Sequence, residues 1–89
     1  MLESKVQSYL IKELKKKKWF VRKIAKTSSS GDPDIYSFKD GITVWIETKR
    51  DGEKARELQK YRHNEIRSFG MKCIVISGID EAKDYIENL

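Results

Sequence analysis

The stretch GDPDIYSFKDGITVWIETK, residues 31 to 49, decides the fold. At its centre Asp40-Gly41 is a two-residue hairpin signal, because a type I′ turn needs positive φ at both central positions. Asp34 to Phe38 on one side and Ile42 to Lys49 on the other are rich in β-branched and aromatic residues, the composition of strands. A two-residue turn fixes the register: Lys39 pairs with Ile42, Tyr36 with Trp45, and Asp34 then stands opposite Glu47. A three-residue turn would set Asp34 opposite Ile46. Directly opposed side chains have Cβ atoms about 5 Å apart, where two carboxylates destabilise a sheet unless something neutralises them.

A divalent cation would neutralise them. Hard cations such as Mg²⁺ take oxygen ligands, usually one or two protein carboxylates completed by water and substrate phosphate, and Asp34 and Glu47 meet that description. Glu47 and Lys49 stand two apart in one strand and therefore share a face. An ammonium beside such an ion can stabilise charge developing on a phosphate, or orient a water that the ion acidifies. Pro33 fixes φ just before Asp34 and has no N–H to give a ladder, which suits the first position of a strand and aims Asp34.

Outward from the hairpin, Leu2, Val6, Tyr9, Leu10 and Leu14 mark one stripe of a helix from about residue 2 to 17. Glu3 lies at the edge of that stripe, in the first turn, where the macrodipole also favours a carboxylate. Trp19 to Ala25 reads as the first strand. Lys26 to Gly31 is a loop of small hydroxyl residues, able to donate to phosphate oxygens but also of ordinary loop composition. Asp51-Gly52 closes the hairpin with a second turn. Ala55, Leu58, Tyr61, Ile66 and Phe69 then share the stripe of a helix stopped by Gly70, and Gln59, about 100° round from Leu58, flanks the side predicted to be buried.

Met71 to Ser77, the most apolar segment, predicts a central buried strand. Asp80 to Asn88 reads as a closing helix, with Ala82, Tyr85, Ile86 and Leu89 available for packing or a dimer contact. His63 is the one histidine, lacks the partners of a zinc set, and is placed on the surface. Trp19, Tyr36, Phe38 and Trp45 can stack on bases, although alternating strand positions favour the core. The whole reads as an α/β fold, a mixed β-sheet flanked by helices in the order α-β-β-β-α-β-α.

Eighty-nine residues suit one domain, 1–89, which at this size buries only roughly 60 to 65% of its unfolded surface, so dimerisation would help it. A single cysteine, Cys73, excludes an intrachain disulfide, and its place in an apolar run favours burial. Nineteen Lys and Arg against fourteen Asp and Glu give a formal charge of +5, which suits a polyanionic partner. Lys26, Arg50, Lys54, Arg56 and Arg62, with Ser30, are the candidates for contact with nucleic acid. A solvated surface is the plainer reading of such charges, and Lys15 to Lys18 also sits where a helix C-terminus welcomes cations. No apolar stretch approaches the roughly 20 residues of a membrane span, and the amphipathic, charged N-terminus is unlike a signal-peptide core, so a soluble, intracellular, cytoplasmic protein without membrane contact is expected.

Pro33-Asp34 followed by Glu47-Thr48-Lys49 resembles the two halves of the PD-(D/E)XK nuclease motif. With Glu3, Gly31 to Asp34 and Gln59 added, the chain is similar over nearly its whole length to the VRR-NUC family, whose compact stand-alone members occur in phages. The resemblance implies a restriction endonuclease-like sheet and a Mg²⁺ or Mn²⁺ site held by Asp34, Glu47 and the backbone carbonyl of Thr48. It implies catalytic roles for Lys49 and Glu3 beside the ion or its water, and for Gln59 in orienting water or a ligand carboxylate. It further implies a metal-dependent, structure-selective DNA endonuclease acting as a homodimer on branched DNA, such as four-way (Holliday) junctions, inside a host cell if phage-encoded. The same residues would serve a flap or duplex nuclease without junction preference. Two non-enzymatic alternatives are a basic DNA-binding module and a protein-interaction domain; on the latter, Asp34→Asn and Glu47→Gln would leave metal binding and DNA cleavage unchanged.

Overall fold

The computed structural model describes residues 2–25 and 30–89. Its elements are α1 (Glu3–Lys16), β1 (Phe20–Lys23), β2 (Ile35–Lys39), β3 (Ile42–Lys49), α2 (Glu57–Ser68), β4 (Lys72–Ser77) and α3 (Gly78–Glu87), the order read from the sequence. The four strands form one sheet in the order β1-β2-β3-β4. β1, β2 and β3 run antiparallel and β4 lies parallel to β3, so the sheet is mixed.

The hairpin has the expected register. Asp40 and Gly41 take φ of 51° and 81°, as a type I′ turn requires, and Lys39 pairs with Ile42 and Tyr36 with Trp45. The ladder begins at Ile35 opposite Ile46, so Asp34 lies one step beyond it, in a bend on the Glu47 side. The Asp34 carbonyl accepts a hydrogen bond from the Ile24 N–H at 2.7 Å, which extends the β1–β2 contact to that step.

Strand alternation gives the sheet two different faces. Val21, Ile35, Val44, Ile46 and Ile76 form one core with Val6, Leu10 and Leu14 of α1 and Ala82 and Ile86 of α3. Each Val, Leu or Ile side chain among them contributes roughly 1.5–3 kcal/mol by leaving water. On the other face, α2 packs against β4 and reaches the end of β3. There Phe20, Tyr36 and Trp45 form a row of edge-to-face rings, with centroids 6.2 Å and 5.0 Å apart, and the Arg22 guanidinium lies 4.1 Å from the Phe20 centroid. Trp45 and Tyr36 are half-buried and Trp45 Nε1–H donates to Met71 Sδ at 3.3 Å, but Phe20 is 49% and Phe38 40% exposed. The aromatic positions are thus core only in part; Trp19, half-buried, packs on the helix-covered core.

Two expectations are corrected. β4 is an edge strand, not a central one. Its apolar character follows from cover on both faces, by α2 and α3, and the Arg67 guanidinium donates to the Cys73 carbonyl at 3.1 and 2.7 Å, satisfying an edge acceptor. The apolar stripe of α2 is not buried either: Leu58, Tyr61 and Phe69 are 47, 62 and 77% exposed, while His63, placed on the surface from the sequence, is 1% exposed and the one buried residue of the helix. Cys73 is buried as expected, and burial pushes its thiol up to about 11. Among the described residues no helix is long and apolar enough to cross a membrane.

α1 ends in a Schellman motif: Trp19 N–H bonds the Leu14 carbonyl and Lys18 N–H that of Lys15, each at 3.0 Å, with Lys18 at φ 70°. A side chain in that left-handed region costs about 1–2 kcal/mol, which glycine avoids while losing somewhat more chain entropy. Lys18→Gly is therefore expected to stabilise by about 0.5–1 kcal/mol, a rise in Tm of several degrees in a domain of this size. Thermal unfolding followed by circular dichroism checks this, and a lowered Tm would contradict it.

Candidate active site

Three elements converge where β2 begins and β3 ends. Carboxylate oxygens of Glu3 from α1, Asp34 from the turn before β2 and Glu47 from β3 lie within 4.8 Å of one another. The turn is built on Gly31, whose φ is +88° and at which a Cβ would come within 3.0 Å of the Leu58 carbonyl oxygen and 3.1 Å of Leu58 Cγ. Only glycine has both that conformation and that closeness to α2. Pro33, fully buried, follows in the same turn and delivers Asp34.

The Asp34 Oδ2 atom accepts two hydrogen bonds from Thr48, one from the backbone N–H and one from the hydroxyl, both 2.9 Å. Two donors from one fully buried residue fix the direction of that carboxylate. Glu47 is only 2% exposed. Its Oε2 accepts from Gln59 Nε2–H at 3.3 Å and lies 3.8 Å from Lys49 Nζ, itself buried; its Oε1 lies 3.6 Å from His63 Nε2. Among the described residues, Glu47 Oε1 and His63 Nε2 are the two buried side-chain polar atoms without a hydrogen-bond partner.

Burial pushes the Glu47 carboxyl up from its ordinary 4.5 to about 8, helped by the neighbouring Asp34 and opposed by Lys49. The His63 imidazole is held below its ordinary value, first by burial and then by Arg67 and Lys49. The local electrostatics are short of positive charge at the carboxylates. A cation supplies it, and the donor set of three carboxylates, with one buried oxygen unpartnered, fits a hard divalent ion and not a thiolate-seeking one.

Gln59 serves two partners with one amide. Its Oε1 accepts from the Arg56 N–H at 2.8 Å, capping the start of α2, and its Nε2 donates to Glu47. A glutamate could cap but could not donate. The residues singled out at this end thus come together: Glu3, Asp34, Glu47, Thr48, Lys49 and Gln59. His63 was missed. Its spacing of four from Gln59 puts both on one helix face, the signal that would have found it.

The candidate nucleic-acid contacts divide. Arg50, Lys54 and Arg56 are exposed between the end of β3 and the start of α2. Ser30 is exposed, and its carbonyl accepts from Arg62 Nε–H at 3.0 Å, while the Arg62 guanidinium lies 5.3 Å from the Tyr61 ring centroid. Lys26 lies outside the described residues.

A helix-flanked mixed sheet with this order of elements is the nuclease-like fold of VRR-NUC domains, and the resemblance read from the sequence is borne out. One solved structure described as a VRR_NUC domain superposes with a TM-score of 0.85 at 26% identity, over 96% of this chain and 94% of that one. A VRR_NUC domain protein does so with a TM-score of 0.79 at 23% identity, over 99 and 87%. A Holliday junction resolvase from the archaeal hyperthermophile Archaeoglobus fulgidus shares the fold with a TM-score of 0.67 at 21% identity, over 84 and 67%. No family model and no curated protein matches the chain.

The raised Glu47 value has a consequence for stability. The folded chain binds this proton more tightly than the unfolded one, so its favourable contribution is complete below about 4.5 and is lost as pH rises through about 8. Glu47→Gln removes that titration. In EDTA Glu47→Gln is expected to be more stable than the native chain near pH 9 by an amount of the order of a few kcal/mol, read as a higher Tm, and to approach it near pH 5. Equal differences at both pH values would refute the assignment.

Proposed function

We propose that residues 1–89 form one nuclease domain, a Mg²⁺- or Mn²⁺-dependent, structure-selective DNA endonuclease that hydrolyses phosphodiester bonds and resolves four-way junctions as a homodimer. The observation that carries this reading is the convergence of Glu3, Asp34 and Glu47 from three elements beside the buried ammonium of Lys49. Asp34, Glu47 and the Thr48 carbonyl would hold the ion, with Glu3 alongside. Such an ion supplies neutralisation of phosphate charge and acidification of water.

The chain's own residues do the rest. Thr48 sets the direction of the Asp34 carboxylate and Gln59 that of Glu47, so the acidic groups are oriented before DNA arrives. Lys49 offers positive charge to the phosphate oxygen that gains electrons as the bond breaks. Glu3, at the N-terminus of α1 and within 4.8 Å of the other two carboxylates, would hold or accept a proton from water. Arg50, Lys54 and Arg56 would bind the backbone flanking the scissile phosphate without reading sequence.

Support for branched DNA as the substrate comes from the junction resolvase that shares the fold. One protomer of this size is also too small to bury the roughly 1,000 Å² or more of a specific DNA interface comfortably, whereas a two-fold pair presents two sites. The partly exposed aromatic row with Phe20 and Phe38 offers apolar surface for such a pair.

Cleavage of end-labelled four-way junction, flap, duplex and single-stranded DNA with Mg²⁺ or Mn²⁺ tests the reading. Paired symmetrical cuts in the junction are expected, with Asp34→Ala and Lys49→Ala slower by about a hundredfold or more. Cutting of flap or plain duplex alone would replace the substrate, and tight DNA binding with no metal-dependent cutting would establish a non-catalytic module instead.

A further inference from the structure

We propose that His63 is a positioning residue for Glu47: its Nε2–H hydrogen-bonds Glu47 Oε1 when that carboxylate is ionised against a cation, so that Gln59 and His63 hold one oxygen each. This rests on the metal-dependent reading above and adds a residue to it. The geometry points to this pairing because each atom is the other's available partner. Both are buried and unpaired, they face each other at 3.6 Å, and a contraction of about half an ångström makes a hydrogen bond of ordinary length.

A purely space-filling role explains the placement less well. An aliphatic side chain would fill the same volume without burying an unpaired N–H, and α2 carries aliphatic and aromatic residues that it leaves in solvent instead. The helix turns Gln59 and His63, four apart, toward one carboxylate. The charges around the ring are Glu47 on β3, Lys49 two residues on, Asp34 from the turn and Arg67 one turn along α2. Burial first, and then the two cations, favour the neutral imidazole, which has one N–H to give. Groups that orient metal-bound carboxylates and imidazoles through such bonds typically change affinity 10- to 100-fold when removed.

The experiment is a Mn²⁺ titration of the full chain without DNA, read by the electron paramagnetic resonance of free Mn²⁺, for the native protein, His63→Leu, His63→Gln and His63→Asn. The Gln amide nitrogen reaches the place of Nε2, whereas that of Asn stops a bond short. A 10- to 100-fold weaker affinity in His63→Leu and His63→Asn, largely restored in His63→Gln, is the expected pattern. Should His63→Leu fail to fold, the contrast between His63→Gln and His63→Asn carries the same test.

Native-like affinity in folded His63→Leu or His63→Asn would overturn the proposal while leaving the nuclease reading intact. So would equal losses in His63→Gln and His63→Asn, which would mean that shape and not the donor matters. A native chain that binds no Mn²⁺ would overturn both.

Discussion

The carboxylate of Glu47 is held almost out of water against the like charge of Asp34, and most of the functional end of the molecule can be derived from that confinement. The type I′ turn at Asp40-Gly41 sets the register that brings the two acids to the same end of the hairpin. A register slipped by one residue would turn Glu47 to the aliphatic face and Ile46 away from it. The groups around it then follow from the need to compensate a buried acid: Lys49 on the same strand face, Gln59 and His63 from the helix above, Thr48 gripping Asp34 from behind. These contacts offset the burial only in part, since the carboxyl is still driven up to about 8.

That same confinement explains the orientation of α2. A surface helix ordinarily turns its apolar stripe to the sheet. Here the sheet beneath its first turns carries Glu47 and Lys49, so the helix presents Gln59 and His63 there and leaves Leu58, Tyr61 and Phe69 outside. The polar partners of one buried charge have determined which face goes in.

This marks the boundary of what the sequence made legible. The hairpin, the order of its strands and the meeting of Asp34, Glu47 and Lys49 were readable because each rests on local rules, turn chemistry, strand period and the spacing of two, whereas Glu3 joined them only through the family resemblance. The burial of His63 and the exposure of Phe69 were not, because periodicity ranks residues by polarity and so assigns a helix face before knowing what lies under it. β4 was misplaced at the sheet centre for a related reason. A strand between two covering helices is as apolar at an edge as in the middle, and Arg67, whose guanidinium satisfies the edge, reads in sequence as one more surface cation. The hold of Arg62 on the Ser30 carbonyl was equally hidden, since it spans 32 residues of chain.

A site of this kind weighs heavily on a small protein. At roughly 0.05–0.15 kcal/mol per residue, a chain of 89 residues has a net stability of the order of 4 to 13 kcal/mol, and an uncompensated buried acid takes a large fraction of it. The restraints nearest the site act in both capacities at once. Gln59 caps α2 with the oxygen of the amide whose nitrogen holds Glu47, and Arg62 ties the turn before Asp34 to the helix that carries His63. Folding and preorganisation therefore cannot be separated at these positions: whatever fixes α2 on the sheet also fixes the acids, and a cation that relieves their repulsion must stabilise the fold by the difference between its affinities for the folded and unfolded chains.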